Sequence, residues 1–354
     1  MIPDYRILFF EELRKRLGAE LTVMSGREDW QRDVRHVSTL AHIGLQNHYL
    51  AGRRLLWQRG AFSSALASDV AVLSLNPRIL SNWLLLTTRR VLRRRTLLWG
   101  HAWPREGRDS RTEALRRTMR RLASGLIVYT ESEAASLRAV HTEVAITAAV
   151  NALYRQSDLG RPRPGALVTD LVCVGRLAAT KRPELLLDAF IEASPHLPRE
   201  VRLLFIGDGP LRGWIEQRVL AEGLEDRVLL RGHVSDVEAV RDVFERAIAS
   251  VAPGEAGLSI IQSLGFGVPM ILADGARHGP EIEAARPDEN VVLFRSGSTD
   301  ALARAMLDVV AERDVWLARR SRIAAAAHQR YSIEATATSF IAGLYPAAAN
   351  DGAR

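Results

Sequence analysis

The sequence predicts an α/β protein made of two doubly wound domains, and three observations support this fold class. Short apolar or β-branched runs alternate with longer segments of helical periodicity, which is typical of parallel α/β layers. The alternation occurs twice, on either side of a polar stretch that contains two prolines and two glycines. The chain has 354 residues, 47% of them hydrophobic, and exceeds the size at which one core usually divides into two.

The first half of the chain predicts an N-terminal domain of residues 1–155. Its strands are expected near residues 21–24, 70–75, 96–99, 126–129 and 144–147, with helices between them. The polar stretch at residues 156–165 can continue neither a helix nor a strand. The sequence therefore predicts a linker at residues 156–166.

The second half predicts a doubly wound domain of residues 167–330. Its strands are expected at residues 171–174, 202–206, 228–231, 248–252, 269–273 and 291–294. After the second of these strands, Pro210 suits a first helical turn, because apolar residues then recur at helical spacing. Residues 331–354 hold a last helix, around residues 332–344, that can cross back to the N-terminal domain.

The composition points to anionic partners. The net charge is +7 and the isoelectric point is near 10.1, and the 48 basic residues include only two lysines, Lys15 and Lys181. This balance favours nucleic acid, anionic lipid or a phosphorylated substrate without choosing among them. The single cysteine, Cys173, lies in an apolar run and cannot form an internal disulfide, so we expect a small core residue.

The first candidate site follows the strand predicted at residues 171–174. Gly175 and Arg176 end this strand, and Lys181 comes just before the helix that Pro183 begins. Because ligands of an open α/β sheet bind beyond the carboxyl ends of the strands, both cations are expected in that crevice, where they suit a diphosphate. A lysine retained in an arginine-rich chain also indicates a phosphate-binding point charge. Solvated basic side chains are the alternative interpretation.

The second candidate site lies where the strand at residues 248–252 passes through a proline–glycine turn into a helix that begins near Leu258. Backbone amides of Gly257, Leu258 and Ser259 at this helix start are expected to hold a phosphate and the sugar attached to it. Glycine lets the ligand approach the backbone closely. The pattern predicts an anion-binding helix terminus.

Several motifs occur in an order that resembles the glycosyl transferases group 1 family over roughly residues 170–310. They are Gly175-Arg176 with Lys181, residues 205–211, Arg231-Gly232-His233-Val234, residues 253–269 and His278-Gly279-Pro280-Glu281. The resemblance implies a GT-B fold, in which two Rossmann-like domains face each other across a cleft. It also implies retaining transfer of a sugar from a nucleotide-diphosphate sugar, UDP- or GDP-linked.

The same resemblance implies roles for individual residues. Arg176 and Lys181 would neutralise the diphosphate, and Val234 would contact the base through its backbone. Leu258 and Ser259 would bind phosphate.

The chain departs from the family at one point. The family's usual two glutamates, separated by seven residues, would fall on Gly254 and Gln262, and neither is a carboxylate. Glu255, one position on, is expected to contact the donor sugar instead, and Gln262 can bond a ribose hydroxyl through its amide oxygen. The Pro-Gly-x-x-Gly-Leu form found here resembles that of polysaccharide-assembly members of the family.

His101 follows the strand predicted at residues 96–99 and is expected to orient the acceptor or to donate to the donor sugar. A capping role or a bond to a backbone carbonyl is the alternative. The resemblance implies that the leaving diphosphate helps to accept the acceptor proton, so no strong general base is required. No cluster of Asp, His or Cys has a metal-binding spacing. We predict no obligatory metal and no cofactor, with the nucleotide sugar as co-substrate.

The acceptor side is predicted from an apolar, tryptophan-bearing segment at residues 76–86 and from residues 89–95, which hold five arginines. A second basic set has helical i, i+4 spacing and can share the same face: Arg116, Arg117, Arg120 and Arg121. These features predict peripheral contact with anionic membrane and a glycan or lipid-linked acceptor, as in bacterial cell-surface polysaccharide or glycolipid synthesis. A buried helix with solvated arginines at its end is the alternative.

No apolar run approaches the roughly 20 residues that span a bilayer, and residues 1–6 lack the layout of a signal peptide. We therefore expect a cytoplasmic protein, with the inner face of the cell membrane as its site of attachment.

Other classes of protein explain the sequence less well. A nucleic-acid-binding protein would account for the charge, but the arginine clusters have no interleaved aromatic residues and no recognition motif. A nicotinamide-dependent dehydrogenase is disfavoured, because neither half has a Gly-x-Gly-x-x-Gly turn straight after its first strand. A catalytically impaired scaffold or binding protein that keeps the GT-B fold remains the main alternative.

Overall fold

The structure of the protein, a computed structural model, describes residues 2–26, 40–104, 110–141, 144–159, 167–234 and 236–346. The chain divides into two compact units. The first is formed by Met1–Ala152 and Ile333–Arg354, and the second by Leu153–Ser332. Both units are α/β, as the sequence predicts, and each contains a parallel sheet. Residues 160–166 of the predicted linker lie outside the described residues.

The first unit contains a three-stranded sheet, β1-β2-β3, and a parallel four-stranded sheet, β4-β5-β6-β7. Its strands are β1 (Met24–Gly26), β2 (Ile43–Leu50), β3 (Leu55–Arg59), β4 (Val70–Ser74), β5 (Arg95–Trp99), β6 (Gly125–Val128) and β7 (Ala145–Ala148). Its helices are α1 (Ile7–Leu17), α2 (Phe62–Ala67), α3 (Leu80–Val91), α4 (Glu113–Leu122), α5 (Glu131–Arg138) and, late in the chain, α12 (Ile333–Leu344).

The antiparallel hairpin β2–β3 corrects the sequence prediction, which placed only helices between residues 24 and 70. Leu45 alone is buried in β2, so the strand lacks the apolar run that marks a central strand. Its turn passes through Ala51, Gly52 and Arg53, which all have positive φ angles. The first predicted strand, at residues 21–24, is also displaced, because a 3-10 helix occupies Gly18–Glu20 and β1 begins only at Met24.

The second unit is built on a six-stranded parallel sheet in the order β10-β9-β8-β11-β12-β13. These strands are β8 (Asp170–Val174), β9 (Arg202–Ile206), β10 (Val228–Gly232), β11 (Ala247–Ala252), β12 (Met270–Asp274) and β13 (Val291–Arg295). Each lies within one residue of its predicted position. Strands of a parallel sheet covered on both faces are nearly continuous apolar runs, which makes them easy to locate in a sequence.

Helices cover both faces of this sheet and give it two cores. They are α6 (Pro183–Ala193), α7 (Arg212–Ala221), α8 (Val237–Glu245), α9 (Leu258–Gly265), α10 (Thr299–Ala311) and α11 (Arg313–Tyr331). One core includes Phe190 of α6 and Met306 of α10, and the other includes Phe244 of α8 and the ring of Phe266. The strand order reverses between β8 and β11, and such a switch point is where open α/β sheets bind ligands.

Helix α12 belongs to the first unit, although it follows the second unit in the chain. It packs against α1, β6 and β7. The ring of Phe340 contacts Phe9 and Trp99 edge to face, with centroid distances of 5.2 and 4.9 Å. This aromatic cluster anchors the last described helix to the N-terminal sheet.

Candidate active site

The loop after β8 forms one side of the candidate site. It begins at Gly175, whose φ is +146°, and the side chain of Arg176 is exposed. Gly207 packs directly on this loop, since a Cβ atom there would lie 2.0 Å from the carbonyl oxygen of Gly175. Leu211 donates its amide to the carbonyl of Leu177 at 3.0 Å. The glycines of residues 205–211 therefore permit loop-to-loop packing.

This packing also corrects the predicted start of α7. Leu211 is the N-cap, and the helix begins at Arg212, so Pro210 lies in the preceding turn and not in the first helical turn. The amide of Leu211 bonds to the loop after β8, so Pro210 and Leu211 remain outside the helix.

Lys181 is half-buried at the end of a 3-10 turn, Ala179–Lys181, just before α6. Its Nζ donates a hydrogen bond to the carbonyl oxygen of Glu255 at 2.7 Å. Burial lowers the pKa of Lys181, and the charges of Glu255 and Glu281 act in the opposite direction. A partly dehydrated ammonium attracts an anionic ligand strongly, because water screens its charge weakly, and the acidic neighbours oppose that attraction.

The loop between β11 and α9 forms the other side of the site. The amide of Glu255 donates to the carbonyl of Thr180 at 3.0 Å. A Cβ atom at Gly254 would lie only 2.4 Å from the same oxygen, so this close approach requires glycine. The two loops that the sequence singles out are thus in direct backbone contact.

Helix α9 begins beyond this loop, as predicted, with Gly257 as its N-cap and Leu258 as its first residue. The backbones of Leu258 and Ser259 lie in the first turn, where amides have no acceptor within the helix. Both residues are half-buried. The structure thus places these two residues at a helix start, which is the geometry on which the prediction of an anion-binding terminus rests.

A small pocket joins these elements. Among its lining residues are Gly175, Arg176, Lys181, Glu255 and Ser259. The thiol of Cys173 also borders it, but that residue is buried, and burial raises its pKa to about 12. A protonated thiol is a poor nucleophile, in keeping with the core role expected for Cys173.

Gln262 and Val234 lie in the same unit but do not line this pocket. Gln262 is buried, and its Nε2 donates to the hydroxyl of Tyr154 at 2.6 Å. Burial raises the pKa of Tyr154 to about 12. Val234 is half-buried and packs on the cluster that contains Phe266, against which the Tyr154 ring also packs. Tyr154 could not be identified from the sequence, because it lies far from Gln262 along the chain.

His278 is a further residue near this site, and the sequence analysis assigned it no role, although it lies in a motif that carries the family resemblance. Its Nδ1 accepts the amide of Ala256 at 3.1 Å, and its Nε2 donates to the carbonyl of Ala273 at 2.8 Å. These two bonds fix the neutral ring with its proton on Nε2. Gly279 adds a bond to the carbonyl of Ala256. The imidazole therefore supports the loop that leads into α9.

Glu281 lies beside the same helix terminus. It is buried, and its Oε2 is 3.4 Å from the position that a Cβ atom would occupy at Gly257. A carboxylate is thus present near the start of α9, although Gly254 lacks one.

The remaining predicted site residue, His101, lies in the first unit. It follows β5 at the carboxyl edge of the four-stranded sheet, and its side chain is 51% exposed. Arg116 donates to the carbonyl oxygen of His101 at 3.0 Å. Arg120 donates to the carbonyl of Ala102 at 2.7 Å.

The same contacts correct the prediction that four arginines of α4 share a lipid-facing surface. Arg120 is buried and pairs with Glu113, and only Arg117 and Arg121 of the set are fully exposed. Arg89, one of the five arginines at residues 89–95, is also buried. It donates to the carbonyl oxygens of Ser68, Asp69 and Arg95. A guanidinium has five donors, which lets it satisfy backbone carbonyls at helix and strand ends.

Within the part of the chain that the structure describes, no three His, Cys, Asp or Glu side chains are grouped so that they could hold a metal ion. Among the described helices, none is long and apolar enough to cross a membrane.

The second unit is similar in sequence to one known protein family. Residues 168–312 match the model of the family described as Glycosyl transferases group 1. Alpha-D-kanosaminyltransferase of Streptomyces kanamyceticus is 26% identical over 174 residues, which span 49% of this chain and 44% of that protein.

Solved structures share the fold at low identity. Sucrose-phosphate synthase of Thermosynechococcus elongatus matches with a TM-score of 0.64 and 18% identity, over 93% of this chain and 89% of the other. HepE of Anabaena, in complex with UDP, matches with a TM-score of 0.61 and 17% identity, over 79% of each chain. The chain thus has the GT-B fold, and its second unit is similar in sequence to the group 1 glycosyl transferases.

Proposed function

We propose that the protein is a glycosyltransferase that moves a sugar from a nucleoside-diphosphate sugar to a hydroxyl of a glycan or lipid-linked acceptor. One observation carries the proposal: Lys181, Arg176 and the first turn of α9 meet at the switch point of the second sheet. Two cations and a helix N-terminus match the charge of a diphosphate leaving group. The family match over residues 168–312 supports the same conclusion.

We favour UDP as the nucleotide of the donor, with GDP as the next candidate. The structure of HepE holds UDP, and that protein shares the fold of this chain. In this proposal Glu255 contacts the donor sugar, Gln262 faces the ribose and Val234 contacts the base. The nucleotide sugar serves as co-substrate, and no other cofactor is needed.

The proposed transfer retains the configuration of the donor sugar and requires no metal. Lys181 and Arg176 stabilise the charge that develops on the diphosphate, a role that a divalent cation takes at other phosphate sites. The departing diphosphate accepts the proton of the acceptor hydroxyl. The chain thus needs no strongly basic side chain at the reacting carbon.

The acceptor is proposed to be lipid-linked or part of a bacterial cell-surface polysaccharide, handled at the inner face of the membrane. Support comes from the exposed residues of α3 and α4 and of the loop after α3. They are the aliphatic Leu84, Val91, Leu92 and Leu115 and the basic Arg90, Arg93, Arg94, Arg117 and Arg121. Glu113, the one acid of these two helices, is buried. Exposed aliphatic and basic residues together suit an anionic membrane surface. A matching outer core galactosyltransferase, WaaB, acts on lipopolysaccharide according to its name.

A catalytically impaired binding protein is the second candidate. The observation that favours it is the absence of a carboxylate at Gly254 and Gln262, where the family resemblance places two glutamates.

Thermal unfolding in the presence of nucleotides tests the proposal. A ligand at a hundredfold excess over its Kd stabilises the native state by about 2.7 kcal/mol, which gives a measurable rise in the midpoint. We expect UDP or a UDP-sugar to raise the midpoint with EDTA present, and we expect Lys181→Ala to abolish the rise. Lys15→Ala, at the only other lysine, is the matched control, because Lys15 is exposed on α1.

Transfer assays then separate the two candidates. Release of UDP that depends on an added acceptor supports the enzyme, and binding without any turnover supports the impaired protein. If no nucleotide raises the midpoint, the donor-site assignment is wrong.

A further inference from the structure

The carboxylate of Glu133 lies beside the imidazole of His101. Its Oε1 is 3.5 Å from His101 Nδ1 and also accepts the amide of Ala102 at 3.1 Å. Its Oε2 accepts the amide of Tyr129 at 3.3 Å. Glu133 is in the first turn of α5, so both amides and the helix dipole direct positive partial charge at this carboxylate. The amides of Ala102 and Tyr129 thus hold the Glu133 carboxylate in place beside the His101 imidazole.

A negative oxygen favours the imidazole tautomer that turns an N–H toward it. With the proton on Nδ1, the N–H of His101 faces Glu133, whereas the other tautomer would turn a lone pair toward the same oxygen. The ring also packs edge to face on Tyr129, with 4.7 Å between centroids, which restricts a ring flip. Nε2 is then left with a lone pair on a half-exposed side chain.

The same edge of the sheet borders a cavity of 540 Å³ within the first unit. Tyr129 lines it together with Trp99 and Arg6. Arg6 donates to the Tyr129 hydroxyl at 2.7 Å and lies over the Trp99 ring at 4.4 Å. His101 does not line this cavity, but its ring packs on Tyr129, which does. Aromatic walls and the Arg6 guanidinium provide space and hydrogen-bond donors for a polyhydroxyl ligand next to that contact.

We infer that Glu133 is a positioning residue that keeps His101 in the Nδ1–H tautomer, so that Nε2 accepts a hydrogen bond from a hydroxyl of the acceptor next to the one that reacts. This inference rests on the proposed glycosyl transfer, and it selects acceptor binding over donation to the donor sugar as the role of His101. The oxygen of the reacting hydroxyl bonds to the anomeric carbon as the bond from that carbon to the diphosphate breaks. The diphosphate leaves with the electron pair and takes the hydroxyl proton.

The tautomer can be measured without any substrate. Long-range proton–nitrogen NMR of the full chain labelled with nitrogen-15 on histidine identifies the protonated nitrogen, and His101→Ala assigns the signal. We expect the Nδ1–H form in the unaltered protein and a shift toward Nε2–H in Glu133→Gln. Glu131→Gln is the matched control, because Glu131 is in the same helix turn and half-exposed, and it should leave the tautomer unchanged.

Kinetics supply the functional readout. In Glu133→Gln we expect kcat to fall at least about tenfold while the KM for the donor is unchanged. In a His101→Ala background, Glu133→Gln should have no further effect on kcat, because the two residues act as one unit. Thermal unfolding of each variant shows whether the fold is retained. Glu133→Asp should retain more of kcat than Glu133→Gln, because it keeps a carboxylate.

The inference is overturned if His101 carries its proton on Nε2 in the unaltered protein, or if Glu133→Gln lowers kcat equally with and without His101. Failure of the proposed function looks different. In that case the tautomer responds to Glu133→Gln as expected, but neither the unaltered protein nor the Glu133→Gln variant releases UDP with any acceptor.

Discussion

Lys181 Nζ and the carbonyl oxygen of Glu255 are 2.7 Å apart, and this hydrogen bond joins the loop after β8 to the loop after β11. The lysine therefore borders the candidate donor site at the contact between the two loops and supplies one of its two cations, Arg176 being the other. Because the ammonium is partly buried, a bound diphosphate would interact with it under weak solvent screening.

Lys181→Met keeps the length of the side chain and removes the charge. We expect the affinity for UDP to fall at least about tenfold, which corresponds to about 1.4 kcal/mol. Lys181→Arg should retain part of the affinity, since the charge remains but the compact ammonium does not. Isothermal titration calorimetry measures both. An unchanged Kd for Lys181→Met would remove this residue from the donor site.

Gly254→Ala tests the close approach of the two loops. A Cβ atom there would meet the backbone of Thr180 and Lys181, so we expect the free energy of unfolding to fall by about 1–3 kcal/mol. Gly213→Ala in α7 is the control, because a Cβ atom at that position meets nothing within 4 Å. It should be neutral or stabilising by up to about 1 kcal/mol. Urea unfolding compares the two, and equal stabilities would contradict the packing described here.

His278→Leu and His278→Asn separate the two bonds made by the imidazole. Leucine loses both, whereas the asparagine oxygen can take the place of Nδ1 and accept the amide of Ala256. We expect His278→Leu to weaken UDP binding about tenfold through a misplaced α9 terminus, and His278→Asn to weaken it less. Equilibrium binding of UDP is the measurement. Equal weakening by the two variants would mean that the bond to Ala273, which both of them lose, matters more.

Tyr154→Phe removes the acceptor of the Gln262 amide. The buried amide group is then left without its partner, which costs about 1–3 kcal/mol of unfolding free energy. Denaturant unfolding measures this cost, and Tyr345→Phe at an exposed position serves as the control. No difference between the two variants would show that Gln262 finds another partner.

Cys173 predicts a dependence of stability on alkaline pH. Burial raises the pKa of its thiol from 9.0 to about 12, so the unfolded chain releases this proton at lower pH than the native protein. The stabilisation is complete below pH 9 and is lost as the pH rises toward 12. Between pH 9 and 10 the loss should be about 1 kcal/mol.

Cys173→Ala should remove this part of the decrease in unfolding free energy with rising pH, whatever its effect on the stability at pH 8. Unfolding midpoints collected at several pH values from 8 to 10 make the comparison. Parallel pH profiles for the two proteins would show that the thiol titrates normally in the folded state.

The sequence located the strands of the second unit closely, because each is an apolar run buried on both faces. It was wrong about the β2–β3 hairpin, whose residues are largely exposed and show no clear period. It was also wrong about Arg120, which helical spacing placed on the surface. That guanidinium is buried because Glu113 and the carbonyl of Ala102 satisfy it, and Ala102 is distant in the chain.

The sequence by itself determined the α/β class, the residues that follow β8 and β11, and the helix terminus at Leu258. These features depend on local pattern, since hydrophobic period, glycine position and helix-start signals involve neighbouring residues. Only the tertiary structure decided that Lys181 bonds to Glu255, that Tyr154 holds Gln262 and that Glu133 faces His101. Each of these pairs joins separate elements, and the topology of a sheet brings its carboxyl-end loops together in a way that sequence distance cannot express.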